Sequence, residues 1–316
     1  MNNKGIIIRG VGGLYSVVPD AGAADGVADG AQDGAVGAQK EILCSARGIF
    51  RKNGITPLVG DYVAYADDPA RPGYGSVVEI SERRSTLRRP PVANVDQLLI
   101  VLTFSLPSPD FLLADKLIIH AASNGIKSVI CFNKMDLPAK DEYAAEEEGY
   151  ARAGFLTIRT SNYDKDSVKA LEPALRERIT ILAGQSGVGK SMLFNNILDT
   201  RKMEIGDISE RIRRGRHTTR HVELSRLKSG GWLVDSPGFS MFDAEIENYR
   251  TLDQLYPEFA LYREHCKFKE CSHIHEPGCA VLEALREGAL HAGRHARYAL
   301  LYKAFREADS RKYGNS

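Results

Sequence analysis

The stretch Gly184-Gln185-Ser186-Gly187-Val188-Gly189-Lys190-Ser191 decides the fold. It follows an apolar run at 179–183, too short for a helix, and opens an amphipathic stretch at 190–198. Strand, glycine loop and helix in that order form a phosphate cradle. The glycines let backbone N–H groups turn inward around phosphate oxygens, and the helix N-terminus adds a favourable dipole. Lys190 is expected to reach the β- and γ-phosphates and the Ser191 hydroxyl to ligate Mg²⁺, with Met192 following in the first turn. The matched sites are therefore Gly184, Gln185, Ser186, Gly187, Val188, Gly189, Lys190, Ser191 and Met192.

Outward from this loop the pattern repeats on its N-terminal side. The run at 95–103 is almost wholly apolar, as expected of a strand buried on both faces. A helical stretch at 111–123, a strand at 128–132, a helix near 142–153, a strand at 155–160 and a helix near 167–176 follow. Beyond the loop, strands are expected at 221–227 and 231–234. This is a parallel α/β sheet with helices on both faces. Before it, residues 1–85 carry short β-rich runs at 5–8, 14–18, 41–46, 61–66 and 76–80, separated by Gly, Pro and Asn. They predict an OB-like five-stranded barrel. Residues 19–39, rich in Ala, Gly and Asp, read as an inserted flexible hairpin. Arg83, Arg84, Arg88, Arg89, Pro90 and Pro91 read as a basic, stiff linker. From 251 the chain turns helical, and Tyr298, Leu301, Tyr302 and Phe305 share one helical face. The expected division is 1–85 barrel, 86–250 α/β domain and 251–316 helical metal module.

A phosphate loop does not choose its base. Asn133-Lys134-Met135-Asp136, directly after the strand at 128–132, does. The two oxygens of Asp136 match the adjacent ring N–H and exocyclic amine of guanine, and adenine lacks that donor pair. The Asn133 amide can hold the base and brace neighbouring loops, and the Lys134 stem can cover the ring. Thr160-Ser161-Asn162 offers a second base contact through backbone N–H groups, or is a plain strand-to-helix turn. Asp235-Ser236-Pro237-Gly238 follows a strand. Asp235 there can hold Mg²⁺ through water, and the Gly238 N–H can meet the γ-phosphate. The segment RIRRGRHTTR at 211–220 lies where a loop ordered by γ-phosphate and Mg²⁺ belongs. Either Thr218 or Thr219 is the candidate Mg²⁺ ligand. His217 is the candidate for orienting the attacking water, or else a solvated loop residue. Phe239 cannot orient water, so intrinsic hydrolysis is expected to be slow.

Cys266-x₄-Cys271-x-His273-x₅-Cys279 supplies three thiolates and an imidazole, a closed donor set suited to one structural Zn²⁺. His275 is the alternative fourth ligand. Cys44 and Cys131 sit in strands and read as core. The formal net charge of +1 does not mark a nucleic-acid binder, so any RNA contact must come from local patches. No apolar run reaches a membrane span, and the N-terminus reads as a strand rather than a signal peptide. A cytoplasmic monomer is expected, with no membrane or DNA partner.

The motifs run NKMD, GQSGVGKS, RGRHTT, DSPG, then the Cys/His cluster. GTPases ordinarily place the base reader after the phosphate loop, so the domain is circularly permuted. This order, with a barrel before and a zinc module after, resembles the ribosome small-subunit-dependent GTPase A family. The runs FRKNGITPLVGDYV (50–63) and HIHEPGC (273–279) are similar to that family too. The resemblance implies GTP hydrolysis to GDP, stimulated by the small ribosomal subunit during its late maturation. It also implies that the barrel and zinc module contact the subunit and its rRNA. The alternative is a GTP-dependent RNA-binding scaffold whose hydrolysis is incidental. Two features depart from the family: the 19–39 insertion, and Ser236 where Thr is usual.

Overall fold

The computed structural model describes residues 2–20, 41–138, 143–199, 222–235 and 248–313. Five strands close the N-terminal barrel: β1 (Asn3–Val11), β2 (Leu14–Pro19), β3 (Ile42–Ala46), β4 (Tyr62–Asp67) and β5 (Tyr74–Ile80). Their order is β1-β2-β3-β5-β4, closed by β1 against β4, with β3 and β5 parallel and the other pairs antiparallel. A short helix, α1 (Gly48–Lys52), follows β3. Ile7, Val17, Ile42, Cys44, Val63, Tyr65 and Val77 fill the interior. Burial, with Asp67 nearby, pushes the Cys44 thiol up to about 11, as befits a core residue.

The barrel is not a bead on a linker. Side chains alternate along a strand, and β1 uses both faces: Ile7 enters the barrel, while Ile6 and Ile8 join the core of the neighbouring domain. β1 also pairs with β12 (Glu223–Arg226) at Arg9 and Glu223, merging barrel and α/β sheet into one eleven-stranded sheet. The basic stretch expected to be a linker folds as a hairpin, β6 (Thr86–Arg88) with β7 (Pro91–Ala93). The two arginines ahead of the hairpin are paired. Arg83 grips the fully buried Asp61 at 2.7 and 2.8 Å, and Arg84 pairs with Asp96 at 2.8 Å.

The central sheet runs β10-β9-β8-β11-β13-β12. β8 (Gln97–Thr103), β9 (Lys127–Asn133), β10 (Leu156–Arg159), β11 (Ile179–Ala183) and β13 (Trp232–Asp235) are parallel, and β12 is antiparallel to β13. Alternate residues serve the two faces. Leu98, Ile100, Leu102, Ile130 and Phe132 pack with Leu117 and Ile118 of α2 (Phe111–Ser123) and Tyr150 of α3 (Ala144–Arg152). Leu99, Val101, Val129, Cys131 and Leu182 pack on the other face against α4 (Lys165–Lys169), α5 (Glu172–Leu175) and α6 (Lys190–Leu198). The single helix expected at 167–176 is two, because Pro173 lacks the N–H a continuous helix needs and instead opens α5. Chain order grows outward from β8 through β9 to β10, then jumps back to β11. The switch point, where such sheets bind ligands beyond their carboxyl ends, therefore lies between β8 and β11.

The C-terminal part begins with a 3₁₀ segment, Tyr249–Leu255, and ends with α7 (Ala280–Arg286) and α8 (Ala292–Tyr313). Tyr298 and Leu301 are buried, with Tyr302 and Phe305 half-buried beside them, in a cluster that also takes Ile119 of α2. A buried charge network clasps α8 to α2. Asp115 accepts from Arg294 at 2.6 Å, Arg297 at 2.5 Å and Tyr150 at 3.0 Å. Glu258 holds Arg294 at 2.5 Å, and Glu146 of α3 holds Arg297 at 2.8 and 2.9 Å. Among the described residues, no helix is long and apolar enough to cross a membrane.

Candidate nucleotide site and metal centre

The loop after β11 lies at the switch point, against β8. Gly184 has φ 134°, and a Cβ there would stand 2.2 Å from the Val101 carbonyl oxygen, so only glycine lets the loop leave the sheet here. Gly189 caps α6 at φ 93°. Val188 is fully buried beneath the loop, while Ser186 and Gly187 are exposed and Ser191 and Met192 are half-buried in the first turn of α6. The Lys190 ammonium donates to the carbonyls of Gly184 and Gln185, both at 2.7 Å, which folds it over the loop. Burial lowers its pKa to about 8.

The base-side residues converge on this loop. Asn133, fully buried at the end of β9, donates from its amide to the Val188 carbonyl at 2.9 Å, and its oxygen accepts from Thr160 at 3.0 Å. Lys134 takes a left-handed conformation, φ 62°, and its ammonium reaches the Leu106 carbonyl at 2.8 Å. Met135 packs on the core, and its N–H donates to the Thr160 carbonyl at 3.1 Å. The exposed Asp136 accepts from the Ser161 hydroxyl at 2.5 Å. The Asn162 amide donates to the Gly189 carbonyl at 3.1 Å. Asp235 ends β13, beside β11, two positions short of the loop in register. Phosphate loop, base reader and acidic strand end thus share one edge of one sheet. His217, Thr218, Thr219 and Gly238 lie outside the described residues.

Cys266, Cys271, His273 and Cys279 bring their ligand atoms within 4.8 Å of one another. Cys266 and Cys279 sulfurs are 3.9 Å apart, and His273 Nδ1 stands 3.5 and 3.4 Å from them. A tetrahedral zinc site with ordinary bond lengths has S···S edges of about 3.8 Å and S···N edges of about 3.5 Å. The donor set is therefore compatible with zinc. His275 is exposed and outside the cluster. His273 Nε2 faces Asp253 at 3.8 Å, the placement of an outer carboxylate that orients a metal-bound imidazole.

A model of the RsgA GTPase domain matches residues 80–245, and one of the RsgA N-terminal domain matches 36–74. The chain belongs to the RsgA GTPase family. It is 42% identical over 303 residues to the small ribosomal subunit biogenesis GTPase RsgA of Ruminiclostridium cellulolyticum, covering 96% of this chain and 94% of that protein. The Bacillus subtilis protein of the same name is 39% identical, covering 93% and 95%. Among solved structures it resembles YloQ, a circularly permuted GTPase, at 33% identity and a TM-score of 0.78 over 98% of this chain and 96% of that one. It resembles YjeQ from Thermotoga maritima at 28% identity and the same TM-score, covering 96% and 99%. As an RsgA-family GTPase, the chain is a GTP-hydrolysing enzyme with a permuted domain, a closed barrel before it and a cysteine–histidine module after it. Membership also implies a guanine nucleotide and Mg²⁺. Three residues of the clasp between α8 and α2 carried no motif: Asp115, Arg294 and Arg297. The arginines sit three apart on one helix, but their common carboxylate lies 179 and 182 positions away.

Proposed function

We propose that this chain binds the small ribosomal subunit, hydrolyses GTP to GDP and phosphate during late maturation of that subunit, and is stimulated by it. The observation that carries this reading is full-length similarity, at 42% identity, to a protein named for small-subunit biogenesis. In this reading residues 1–85 form the barrel and 251–316 the zinc module, both turned to rRNA, and 86–250 form the GTPase. The protein works as a cytoplasmic monomer.

The two oxygens of Asp136 read the guanine N–H and amine, and the Ser161 hydroxyl, donating to one of them, orients the carboxylate. Lys134 covers the ring, Met135 lies beneath the reader, and the backbone N–H of Asn162 approaches the base, that of Ser161 being already given to the Ser167 hydroxyl at 2.8 Å. The N–H groups of the loop from Gly184 to Lys190 surround the phosphates. Charged Lys190 leaves the loop carbonyls for the phosphate oxygens, an exchange of two neutral acceptors for anionic ones. Ser191, Asp235 and one of Thr218 and Thr219 suit Mg²⁺, a hard cation that takes oxygen ligands and neutralises charge on phosphate oxygens. Gly238 donates to the γ-phosphate. His217 orients the water whose oxygen bonds the γ-phosphorus as the β–γ bridging bond breaks, and the bridging oxygen leaves on GDP. Cys266, Cys271, His273 and Cys279 would hold one Zn²⁺, which would stabilise the module.

The basic run at 211–220 supports the link between hydrolysis and the subunit. Arg211, Arg213, Arg214, Arg216 and Arg220 repel one another in the free protein and are neutralised against rRNA phosphates. The test is GTP turnover with and without purified small subunits. We expect the subunit to raise kcat by on the order of 10³-fold or more, high salt to erase the gain, and His217→Ala to remove most of it while GTP binding persists. Subunits that bind without raising kcat would favour a scaffold.

A further inference from the structure

Two amides reach across from the base-side loops to consecutive carbonyls of the phosphate loop. Asn133 takes Val188 and Asn162 takes Gly189. They converge so closely that a Cβ on Gly189 would stand 2.7 Å from the Asn133 amide nitrogen and 2.6 Å from that of Asn162. Asn162 is also held from its other side, because its main-chain carbonyl accepts from Asn196 of α6 at 2.9 Å. The loop carrying Ser161 and Asn162 is thereby strapped along α6 at two points. Each side chain of the tripeptide has its own partner: Thr160 meets Asn133, Ser161 meets Asp136 and Asn162 meets Gly189.

We infer that Asn162 is a positioning residue whose amide sets the gap between the base reader and the phosphate loop, so that preference for guanine, as well as affinity, depends on it. A nucleotide has a fixed span between base and phosphates. Asp136 discriminates only if it meets the base while the phosphates sit in their cradle. The reader is tied to the phosphate loop at its first residue, Asn133, while Asp136, three residues on, is held through Ser161, the residue next to Asn162. Without the Asn162 strap the phosphate loop keeps its Asn133 brace and still binds phosphates. The Ser161–Asp136 pair then pivots, and the reader drifts relative to the base.

This inference rests on the reading that residues 133–136 hold the base. Its test compares GTP with inosine triphosphate, which lacks the exocyclic amine that Asp136 reads. Asn162→Ala removes one partly buried hydrogen bond, so GTP affinity falls about tenfold. Inosine triphosphate loses less, and the ratio of the two affinities shrinks. Asn162→Asp keeps the shape but turns an acceptor toward the Gly189 carbonyl, so it gives at least as large an effect. Melting of the nucleotide-free protein checks the fold. Should the Asn162 variants not fold, Asn196→Ala cuts the strap from the helix side and shrinks the ratio in the same direction. Equal losses for both nucleotides, or no loss, would overturn the inference. Failure of the underlying reading shows itself separately, as unchanged GTP affinity in Asp136→Asn.

Discussion

Asp115→Ala is the perturbation whose cost follows most directly from the structure. The carboxylate is 1% exposed and accepts from two arginines and a tyrosine that belong to α8 and α3. Arg294, itself 2% exposed, is enclosed by the rings of Tyr150, Phe155 and Tyr256 at 4.9, 5.2 and 5.1 Å. After truncation each arginine keeps one acid, Glu258 for Arg294 and Glu146 for Arg297, but loses half of its compensation, and for Arg294 this happens in a fully buried site. Breaking a buried pair in this way costs about 3–5 kcal/mol. For a chain of 316 residues unfolding as a unit, that lowers Tm by roughly 4–8 °C. The assay is calorimetry together with urea titration, followed by helical circular dichroism and by the fluorescence of Trp232, the single tryptophan. Trp232 lies in the central sheet, so two separated transitions would mark release of the C-terminal module from a sheet that stays folded. Arg311→Ala, which removes an exposed pair with Glu307 at 3.8 Å, is the control and should change stability by under about 0.5 kcal/mol. A loss below about 1 kcal/mol for Asp115→Ala would refute the clasp as the element joining module to domain.

Lys190 gives a pH dependence. Burial depresses its pKa to about 8 in the nucleotide-free protein, and phosphates in contact raise it, so binding requires proton uptake above that value and affinity falls as pH rises. GDP affinity should drop about fourfold from pH 7 to 8.5 by fluorescence titration, and a flat profile would contradict the placement of the ammonium. Gly189→Ala puts a Cβ against two amide nitrogens at φ 93°, so GDP affinity should fall more than about tenfold while the fold survives; retained affinity in the same titration would show the loop has room to give. Freshly purified, reduced protein should hold about one Zn²⁺ per chain by elemental assay. Cys271→Ala should unfold the module and lose that metal, and protein without zinc that keeps its C-terminal helices would contradict a structural role.

The candidate nucleotide site was legible because its pattern is local. Glycines that must turn, a lysine at the start of α6 and an Asp three residues after a buried Asn sit within short windows, each at the end of an apolar strand. The helices at 111–123 and 190–198 were legible to the residue, since polar punctuation marks both ends. What stayed hidden is non-local. Arg83 and Arg84 read as linker charge because nothing in their neighbourhood points to Asp61, 22 positions back, or to the turn that brings Asp96 alongside. β1 reads as an ordinary barrel strand, yet Ile6 and Ile8 belong to another core. The role of Asn162 was half visible: the tripeptide marked a loop near the base, but its amide contact with Gly189 depends on how two loops meet. The sequence could choose His273 over His275 only by preference, whereas the fold turns one ring to the thiols and leaves the other exposed.

The guanine reader is tested most directly by nucleotide competition on Asp136→Asn. The Ser161 hydroxyl fixes one Asp136 oxygen, and both oxygens keep acceptor capacity for the adjacent guanine donors. An amide in place of the carboxylate offers a donor where guanine also offers one, and xanthine offers a carbonyl. Measured against a fluorescent GDP analogue, the variant should lose GTP affinity by at least about 100-fold, the cost of leaving a built polar contact unmatched, and should gain affinity for xanthosine triphosphate. GTP affinity equal to that of the parent protein, with no gain for xanthosine triphosphate, would contradict the assignment of residues 133–136 as the base reader and with it the permuted site built around them.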